Sequence, residues 1–414
     1  MLRRQSKSAT TARTFAAMQD PRFRAFFWPQ TFSAIGEWMQ APAVNVYVLR
    51  LTHSAPDVGA IYALLFVPTV LLAPWMGAIC DTFDRRRILI ACNVASALPP
   101  LVIAVAASTE RLSMPVLWLS VAASGVLNAL NTPARQSFIA QLAPMESLAN
   151  AMYLYSTSMT AARAAGPLAA ALCLATVGEA PSFYANAASY IPLVLALIGL
   201  RRGWSPAPQM SGRRQPALQS MMETLAAPQL RRSILLTAAI SGFGVTSSVI
   251  LPGFVERQLG GSGSTYAWLA GVVGVGALFG TLAMARRART GNGLVAALAV
   301  ALGAALLLTA AARSPAEAVV PLLASGVLAA ASLATAGATL QILAPPERRG
   351  RVMSAYAVAF TGGGAIVMPI MGVVAGATSA RIAYILCAIL VSSLGGVAVI
   401  ARGRQVFEAP DVSG

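Results

Sequence analysis

Long apolar blocks recur along the whole chain, and they constrain its fold more than any other feature. A helix needs about 20 apolar residues to cross the hydrocarbon core of a bilayer. Twelve such blocks are present, at residues 23–50, 57–80, 87–108, 112–131, 150–177, 181–200, 232–256, 265–285, 292–312, 317–342, 352–377 and 381–401. Since one soluble core cannot bury this much apolar surface, the blocks predict twelve transmembrane helices.

The overall composition agrees with a membrane protein. The chain is 57% hydrophobic and only 11% charged, whereas soluble chains carry roughly 25% charged residues. These values exclude a disordered chain, a disulfide scaffold and an ordinary cytosolic enzyme. The net charge of +16 would suggest nucleic acid in a soluble protein. Here the basic residues lie between apolar blocks, so we expect a lipid bilayer and no nucleic acid as partner.

The distribution of basic residues predicts the orientation in the membrane. If both termini are cytoplasmic, 24 of the 30 basic residues fall in inside segments, Arg135 among them. Five fall outside, and Arg163 lies within the fifth block. Cytoplasmic segments of membrane proteins carry the excess of Lys and Arg. We therefore expect a multi-pass protein of the bacterial inner membrane with both termini cytoplasmic.

The chain shows signs of duplication around a central polar stretch. Residues 141–146 (QLAPME) resemble residues 342–347 (ILAPPE), and the same offset of 201 aligns Met152 with Met353. The copies have the same membrane orientation, because six spans separate them. The predicted parts are an N-terminal cytoplasmic tail (1–22), a six-helix half (23–200), a cytoplasmic linker (201–231), a second six-helix half (232–401) and a C-terminal cytoplasmic tail (402–414).

A charged motif lies between the second and third blocks. Residues 77–87 read GAICDTFDRRR and resemble the G-x-x-x-D-R/K-x-G-R-R/K loop of the major facilitator superfamily. Thr82 replaces the usual basic residue and Asp84 the second glycine. The Asp before the arginines resembles the subgroup that contains the enterobactin exporter and macrolide efflux proteins. Further stretches that are similar to this subgroup are residues 24–30, 51–54, 131–136, 162–167 and 349–354.

This resemblance implies a fold and a role for the motif. The expected fold is an all-α membrane protein with twelve transmembrane helices in two parallel six-helix halves, and we expect a monomer. An acid near the cytoplasmic surface can pair with basic residues or a helix N-terminus, so the motif could latch the cytoplasmic side shut. The predicted latch residues are Gly77, Asp81, Asp84, Arg85, Arg86, Arg87, Arg349 and Arg351. The alternative is a topology signal of positive charge only.

Polar side chains form stripes on several spans. Polar residues inside a span are costly and usually face the bundle interior, and spans one, four, seven and ten line the central cavity in the resembled family. The predicted cavity residues are Gln30, Ser33, Gln40, Ser124, Asn128, Asn131, Tyr153, Thr160, Ser241 and Thr335. The alternative for each Ser or Thr is a hydrogen bond to its own helix backbone.

Glu37 is the one acidic residue deep inside a block. A lone carboxylate near the middle of the bilayer is costly when ionised. Arg163 lies midway along span five, and spans one and five are neighbours in the resembled fold. We therefore predict that Glu37 and Arg163 couple proton entry to solute movement. The alternative is a permanent buried ion pair that only fixes the packing of these spans.

Two small-residue motifs indicate close helix packing. Gly276-x-x-x-Gly280 and Gly372-x-x-x-Gly376 occur in spans eight and eleven. Small residues at this spacing let two helix backbones approach each other.

The sequence lacks the motifs that indicate ATP binding, metal binding or enzyme catalysis. No G-x-x-x-x-G-K-[ST] loop for ATP is present, and His53 is the only histidine. We expect no catalytic metal, no cofactor and no enzyme activity. The favoured function is proton-coupled export, by antiport, of a small hydrophobic or siderophore-like molecule, with multidrug resistance or siderophore export as the physiological role. The alternatives are an importer or lipid carrier of the same fold, or a non-transporting receptor or scaffold.

The predicted topology can be tested with reporter fusions. Fusions after Arg111 and Arg313 should report an outside location, and fusions after Arg87, Arg214 and Arg289 an inside location, because the positive charges stay cytoplasmic. An outside signal at Arg214 would contradict the twelve-span arrangement.

Overall fold

A computed structural model describes residues 16–143, 147–200, 224–287, 290–344 and 349–407. These residues form helices and short connections, and none of them lies in a β-strand. The helices are α1 Pro21–Thr52, α2 Ala55–Thr82, α3 Arg85–Ser96, α4 Leu98–Ser108, α5 Met114–Leu142, α6 Leu148–Thr176, α7 Ala180–Gly199, α8 Pro228–Ala239, α9 Ser247–Gln258, α10 Gly263–Arg287, α11 Asn292–Ala311, α12 Pro315–Leu343, α13 Arg349–Ala377 and α14 Ala380–Phe407.

The described helices confirm the predicted class of an all-α membrane protein. Eleven helical segments are long and apolar enough to cross a membrane, with α3 and α4 forming one such segment and α8 and α9 another. The first helix, α1, falls outside this set although it has 32 residues. It is long enough to span a bilayer, and its polar side chains lower its hydropathy.

Proline residues interrupt the helices less than they would in a soluble protein. Pro42 and Pro369 lie inside α1 and α13. Pro99 follows a break at Ala97, where α4 begins. Residues Ile240–Gly244 form a π-helical turn between α8 and α9. Inside a bundle, neighbouring helices can satisfy the backbone groups that such interruptions release.

One helix is longer than its apolar block. The fourth block was predicted over 112–131, but α5 continues to Leu142. The added turns contain Arg135 and Gln136, which lower the local hydropathy without ending the helix. Phe138 and Ile139 in these turns are fully buried, so packing against neighbouring helices maintains the structure there.

The chain divides into two compact units, which differ from the predicted halves at one place. Unit 1 comprises Met1–Val44 and Leu71–Gly212, and unit 2 comprises Asn45–Val70 and Arg213–Gly414. The end of α1 and the beginning of α2 thus belong with the second part of the chain. The six-plus-six division of the sequence stays a prediction.

Each unit has its own apolar core. In unit 1 the core joins α1, α2, α3, α5, α6 and α7, and the rings of Phe26 and Phe138 meet edge to face at 5.4 Å. In unit 2 it joins α2 and the helices from α8 to α14, with Phe254 and Tyr384 edge to face at 5.3 Å. These cores fix the backbone positions from which the polar side chains project.

The small-residue motif of α10 lies at a close helix crossing, which confirms the expected tight packing. A Cβ atom added at Gly280 would overlap the carbonyl oxygen of Val327 on α12. A Cβ added at Gly276 would overlap that of Leu323, and Gly326 on α12 lies equally close to Val273 on α10. Only glycine permits this approach of the two backbones.

Gly280→Ala should therefore destabilise the protein. The added methyl meets backbone that cannot rotate away, and overpacking of this kind costs about 1–3 kcal/mol. We expect a lower melting temperature in detergent for Gly280→Ala. The matched control is Gly362→Ala on α13, where an added Cβ meets no atom within 4 Å. Equal melting temperatures for the two variants would contradict the close crossing.

Candidate functional site: a charged cluster inside unit 1

Glu37 lies where α1 crosses two other helices of unit 1. Its side chain is half-buried. The preceding Gly36 faces α7, and a Cβ added there would lie 3.1 Å from the Cα atom of Asn186. The following Trp38 faces α6, and a Cβ added at Gly166 would lie 2.6 Å from its backbone carbon. The close contacts on both sides hold the Glu37 backbone rigidly within the unit.

Arg163 on α6 contacts Trp38, the residue that follows Glu37 on α1. The centre of the Arg163 guanidinium is 4.6 Å from the centroid of the Trp38 ring. Such cation–π contacts stabilise a cation by roughly 0.5–2 kcal/mol, more where the pair is desolvated. Helices α1 and α6 therefore meet at Trp38, and a Glu37–Arg163 pair with a coupling role stays a prediction.

The sequence reasoning missed a second arginine in this cluster. Arg135 was counted among the basic residues of the inside segments, between two blocks, whereas it lies within α5 and is only 7% exposed. Its guanidinium donates a hydrogen bond to Tyr155 on α6 and interacts electrostatically with Glu37 and with Tyr190 on α7. Four helices of unit 1 thus contribute to one charged cluster.

A pattern in the sequence could have revealed Arg135. Ser124, Asn128, Asn131 and Arg135 follow one another at spacings of four, three and four residues. Residues at these spacings share one face of a helix. The polar stripe of α5 therefore continues beyond the apolar block and ends at Arg135.

Two buried polar atoms of this stripe lack a hydrogen-bond partner within the protein. They are the Nε of Arg135 and the Oδ1 of Asn131. The Nδ2 of Asn131 lies 3.5 Å from the Oδ1 of Asn93 on α3, which leaves its own oxygen free. One donor and one acceptor, a single helical turn apart, can therefore bind water or a polar group of a solute.

Several other predicted cavity residues form hydrogen bonds within the protein. Gln40 accepts a hydrogen bond from Asn186 on α7, and Asn128 accepts one from Thr132 at 3.0 Å. The hydroxyls of Ser124 and Thr160 donate to carbonyl oxygens one turn earlier, at 2.9 and 3.0 Å. Gln30 and Ser33 are buried. The substrate contact of all these residues stays a prediction.

The predicted residues of unit 2 are buried and bonded to backbone. Ser241, in the π-helical turn, donates to the carbonyl oxygen of Phe360 on α13. Thr335 donates to Ala331 of its own helix at 2.7 Å. Both are almost completely buried. A hydrogen bond to backbone is the alternative role for such hydroxyls, and both Ser241 and Thr335 make one.

The arginines of the charged motif bind carbonyl groups within unit 1. Asp84 begins α3 by accepting from the backbone N–H of Arg86 at 2.9 Å. The Arg86 side chain donates to Leu197 and Ile198 at the end of α7, at 2.6 and 3.0 Å. A cation here satisfies the last carbonyls of a helix and opposes its negative end.

The other two arginines of the motif, Arg85 and Arg87, contact residues that are close to them in the sequence. Arg85 donates to the Cys80 carbonyl oxygen at 3.3 Å, and exposed Arg87 lies 3.7 Å from Asp84. The motif therefore joins α2, α3 and α7, and the latch stays a prediction. The side chains of four predicted latch residues and one predicted cavity residue lie outside the described part of the structure. They are Gly77, Asp81, Arg349 and Arg351 of the latch and Tyr153 of the cavity.

Residues suited to a metal ion do not cluster among the described residues. No group of three or more His, Cys, Asp or Glu side chains comes together there. The cluster in unit 1 itself offers a carboxyl group, which can exchange a proton, and cations, which can bind charged or polar groups.

Comparisons with known proteins give the family. The model of the family described as "Transmembrane secretion effector", a major facilitator family, matches residues 12–412. The staphyloferrin A transporter of Staphylococcus aureus is 25% identical over 261 residues, which are 63% of this chain and 66% of that protein. The multidrug resistance protein MdtG of Salmonella paratyphi A is 23% identical over 56% of this chain and 57% of its own length.

A solved structure shows the same fold. A bacterial homologue of the human lysosomal transporter Spinster aligns with a TM-score of 0.71 and 16% identity, covering 94% of this chain and 98% of that one. The chain spans less than two thirds of the curated relatives that it matches, whereas the family model and the fold extend over nearly all of it. The protein therefore belongs to the transmembrane secretion effector family of the major facilitator superfamily and is a multi-pass membrane protein.

Proposed function

We propose that this transporter exports a small hydrophobic or siderophore-like molecule by proton antiport. Glu37 is the carboxyl that gains and loses the proton, and Arg135 and Arg163 are the cations that face it. The transporter acts as a monomer in the bacterial inner membrane, with both termini cytoplasmic.

The observation that carries the proposal is the position of Glu37 within unit 1. A half-buried carboxylate in a transmembrane helix is expensive, yet here Arg135 and Tyr190 interact electrostatically with it. Arg163 lies against the neighbouring Trp38. Because Arg135 interacts with Glu37, the electrostatic balance of the cluster changes when a proton or a charged solute binds there.

The substrate class rests on the relatives and on the cluster. Two relatives are named for staphyloferrin A and for multidrug resistance, which are the two classes that the sequence suggested. The free atoms of Arg135 and Asn131 supply a donor and an acceptor for a polar group. The apolar remainder of the helices suits a hydrophobic body.

Glu37→Gln tests the coupling. The substitution removes the titration but keeps the shape and the hydrogen-bonding capacity of the side chain. In everted vesicles with an acidified lumen, wild-type protein should concentrate ethidium or staphyloferrin A. We expect Glu37→Gln to abolish this uphill transport while downhill exchange of the same probe survives.

The control is Glu110→Gln, since Glu110 is an exposed carboxyl in the loop before α5. It should transport like the wild type. Uphill accumulation by Glu37→Gln with normal pH dependence would mean that Glu37 is structural. Proton-driven accumulation in right-side-out vesicles would identify an importer instead, and movement of neither probe in either direction would count against export.

Arg135→Gln tests the electrostatic partnership. Removing one charge of an interacting buried pair leaves the other uncompensated, so Arg135→Gln should lower the melting temperature in detergent. Glu37→Gln combined with Arg135→Gln should recover part of this loss. In a double-mutant cycle we expect an interaction energy of about 0.5–3 kcal/mol, the range for contacting residues.

The matched control is Arg22→Gln, because Arg22 is exposed at the beginning of α1. Combined with Glu37→Gln it should give an additive result. Additivity for Arg135 as well would show that Arg135 does not act as the counter-charge of Glu37.

A further inference from the structure

A polar stripe runs along one buried face of α7 in unit 1. Ser182, Asn186 and Tyr190 follow one another at intervals of four residues, a spacing that places them on one side of a helix. Ser182 is fully buried, Asn186 is 4% exposed and Tyr190 is 8% exposed. We call these three residues the α7 stripe. At a rise of about 1.5 Å per residue, the stripe covers about 12 Å of the helix.

Helix α1 places two polar side chains against the α7 stripe. Gln40 accepts a hydrogen bond from the Nδ2 atom of Asn186. Glu37, one turn before Gln40, interacts electrostatically with Tyr190. The two contacts advance in opposite directions along the chain, so α1 and α7 are antiparallel here. The α7 stripe therefore leads from Ser182 at one end to Glu37 at the other.

Two polar atoms of the α7 stripe are buried without a hydrogen-bond partner. They are the Oγ of Ser182 and the Oδ1 of Asn186, and neither finds a partner among the described residues. Such atoms are expensive inside a protein, and ordered water is the usual means of satisfying them. Ser189 on the same helix differs, because its hydroxyl donates to the Asn186 carbonyl oxygen at 2.7 Å. The unmet polar atoms of α7 thus lie along the stripe.

The α7 stripe begins at the end of the helix that we predict to face the outer water. Helix α7 starts at Ala180, and Ser182 lies in its first turn. Glu179 stands directly before the helix with a half-buried side chain, and its carbonyl oxygen accepts from the Ser182 N–H at 3.0 Å. A carboxylate at this position attracts cations, protons among them, from the water.

The groups around Glu37 are poor proton donors. Arg135 on α5 and Tyr190 on α7 interact with it electrostatically, and Arg163 on α6 lies against the neighbouring Trp38. Arginine and tyrosine both keep their protons at physiological pH. A proton for Glu37 therefore comes from water, and the face of α7 that reaches Glu37 carries the polar atoms that bind water.

We propose that the α7 stripe is the route by which protons from the outer side reach Glu37. Water enters between α1 and α7 and binds to Ser182 and Asn186. Each water molecule accepts one proton and passes one on, so that the Glu37 carboxylate becomes a neutral carboxylic acid and no water is consumed. The proposal rests on the proposed function, because the route supplies the carboxyl group that exchanges the proton.

The route has two properties that follow from its position. The free atoms of Ser182 and Asn186 are sealed from solvent in this structure, so protons pass only when water separates α1 from α7. The route also lies on the opposite side of Glu37 from α5, which carries the Asn131 and Arg135 atoms proposed to bind the solute. Protons and solute therefore reach the cluster along different helices.

Thiol accessibility tests the route without a solute. In a variant whose four native cysteines are replaced by alanine, single cysteines replace Ser182, Phe183, Asn186 and Ala187 in turn. Silver ions, which fit a path one water molecule wide, are added to whole cells, and the unreacted thiols are counted with a maleimide after denaturation. Ser182→Cys and Asn186→Cys should react about tenfold faster than the other two, because the reactive thiolate forms where water reaches the sulfur.

Phe183 and Ala187 are matched controls for this measurement. Each directly follows a residue of the α7 stripe, and they are 0% and 8% exposed, so burial alone does not separate them from Ser182 and Asn186. If Asn186→Cys does not reach the membrane, Ser182→Cys and Phe183→Cys form the decisive pair. Equal reaction rates at stripe and control positions would overturn the route.

Transport rates test whether the route delivers the proton. Ser182→Ala and Asn186→Leu each remove one free polar atom with little change in volume. In everted vesicles, whose acidified lumen corresponds to the outer side, each should slow uphill ethidium accumulation about tenfold, which corresponds to a barrier higher by about 1.4 kcal/mol. Downhill exchange should be unchanged, and a more acidic lumen should restore the uphill rate.

Ser189→Ala is the matched control, because the Ser189 hydroxyl already donates to backbone. It should accumulate ethidium like the wild type. The pH at which Glu37 is protonated at equilibrium, measured by infrared spectroscopy, should be the same in Ser182→Ala and in the wild type. A shifted pH would overturn the route, because Ser182 would then act on the Glu37 carboxyl itself.

The outcomes separate this proposal from the proposed function. If Glu37→Gln abolishes uphill transport while Ser182→Ala and Asn186→Leu transport like the wild type, the route is overturned and proton-coupled export stands. If Glu37→Gln retains uphill transport with normal pH dependence, the proposed function fails, and the silver reaction rates alone decide whether water follows the α7 stripe.

Discussion

The low polarity of the bilayer core is the constraint on which this structure depends. Backbone groups there must be satisfied inside the protein, which restricts the spanning segments to helices. Charged side chains are expensive in the same environment. Glu37, Arg135 and Arg163 are therefore informative, because they lie on three helices of unit 1 and each is buried or half-buried. Tyr155 and Tyr190 complete their surroundings.

The same constraint explains why most buried polar groups bind other groups of the protein. In unit 2 the hydroxyls of Ser241 and Thr335 bind backbone carbonyls, and Asn45 binds two tyrosines. These groups are saturated by the protein itself. In unit 1 the Nε of Arg135 and the Oδ1 of Asn131 remain without a protein partner. Unit 2 also has such atoms, on Gln258 and Tyr384, but Arg135 belongs to the cluster that contains Glu37, and we therefore propose proton exchange and solute recognition there.

Much of the fold could be predicted, because each helix that crosses a bilayer requires a long apolar block in the sequence. Glu37 was identified because it is an acid within an apolar block, and the glycines of α10 because their spacing is regular. Arg135 was missed because a low-hydropathy helix end looks like a loop, and hydropathy does not report burial against other helices. The grouping of residues 45–70 with unit 2 depends on tertiary partners, which no local pattern specifies.

The central claim is that Glu37 exchanges a proton in response to the solute, and infrared difference spectroscopy of the reconstituted protein tests it most directly. A protonated carboxyl absorbs at a carbonyl frequency distinct from that of a carboxylate. Lowering the pH should produce a carboxylic acid band that is absent in Glu37→Gln, and adding staphyloferrin A or ethidium should shift the pH at which it appears. A band that is unaffected by solute, or identical spectra for the wild type and Glu37→Gln, would contradict the account.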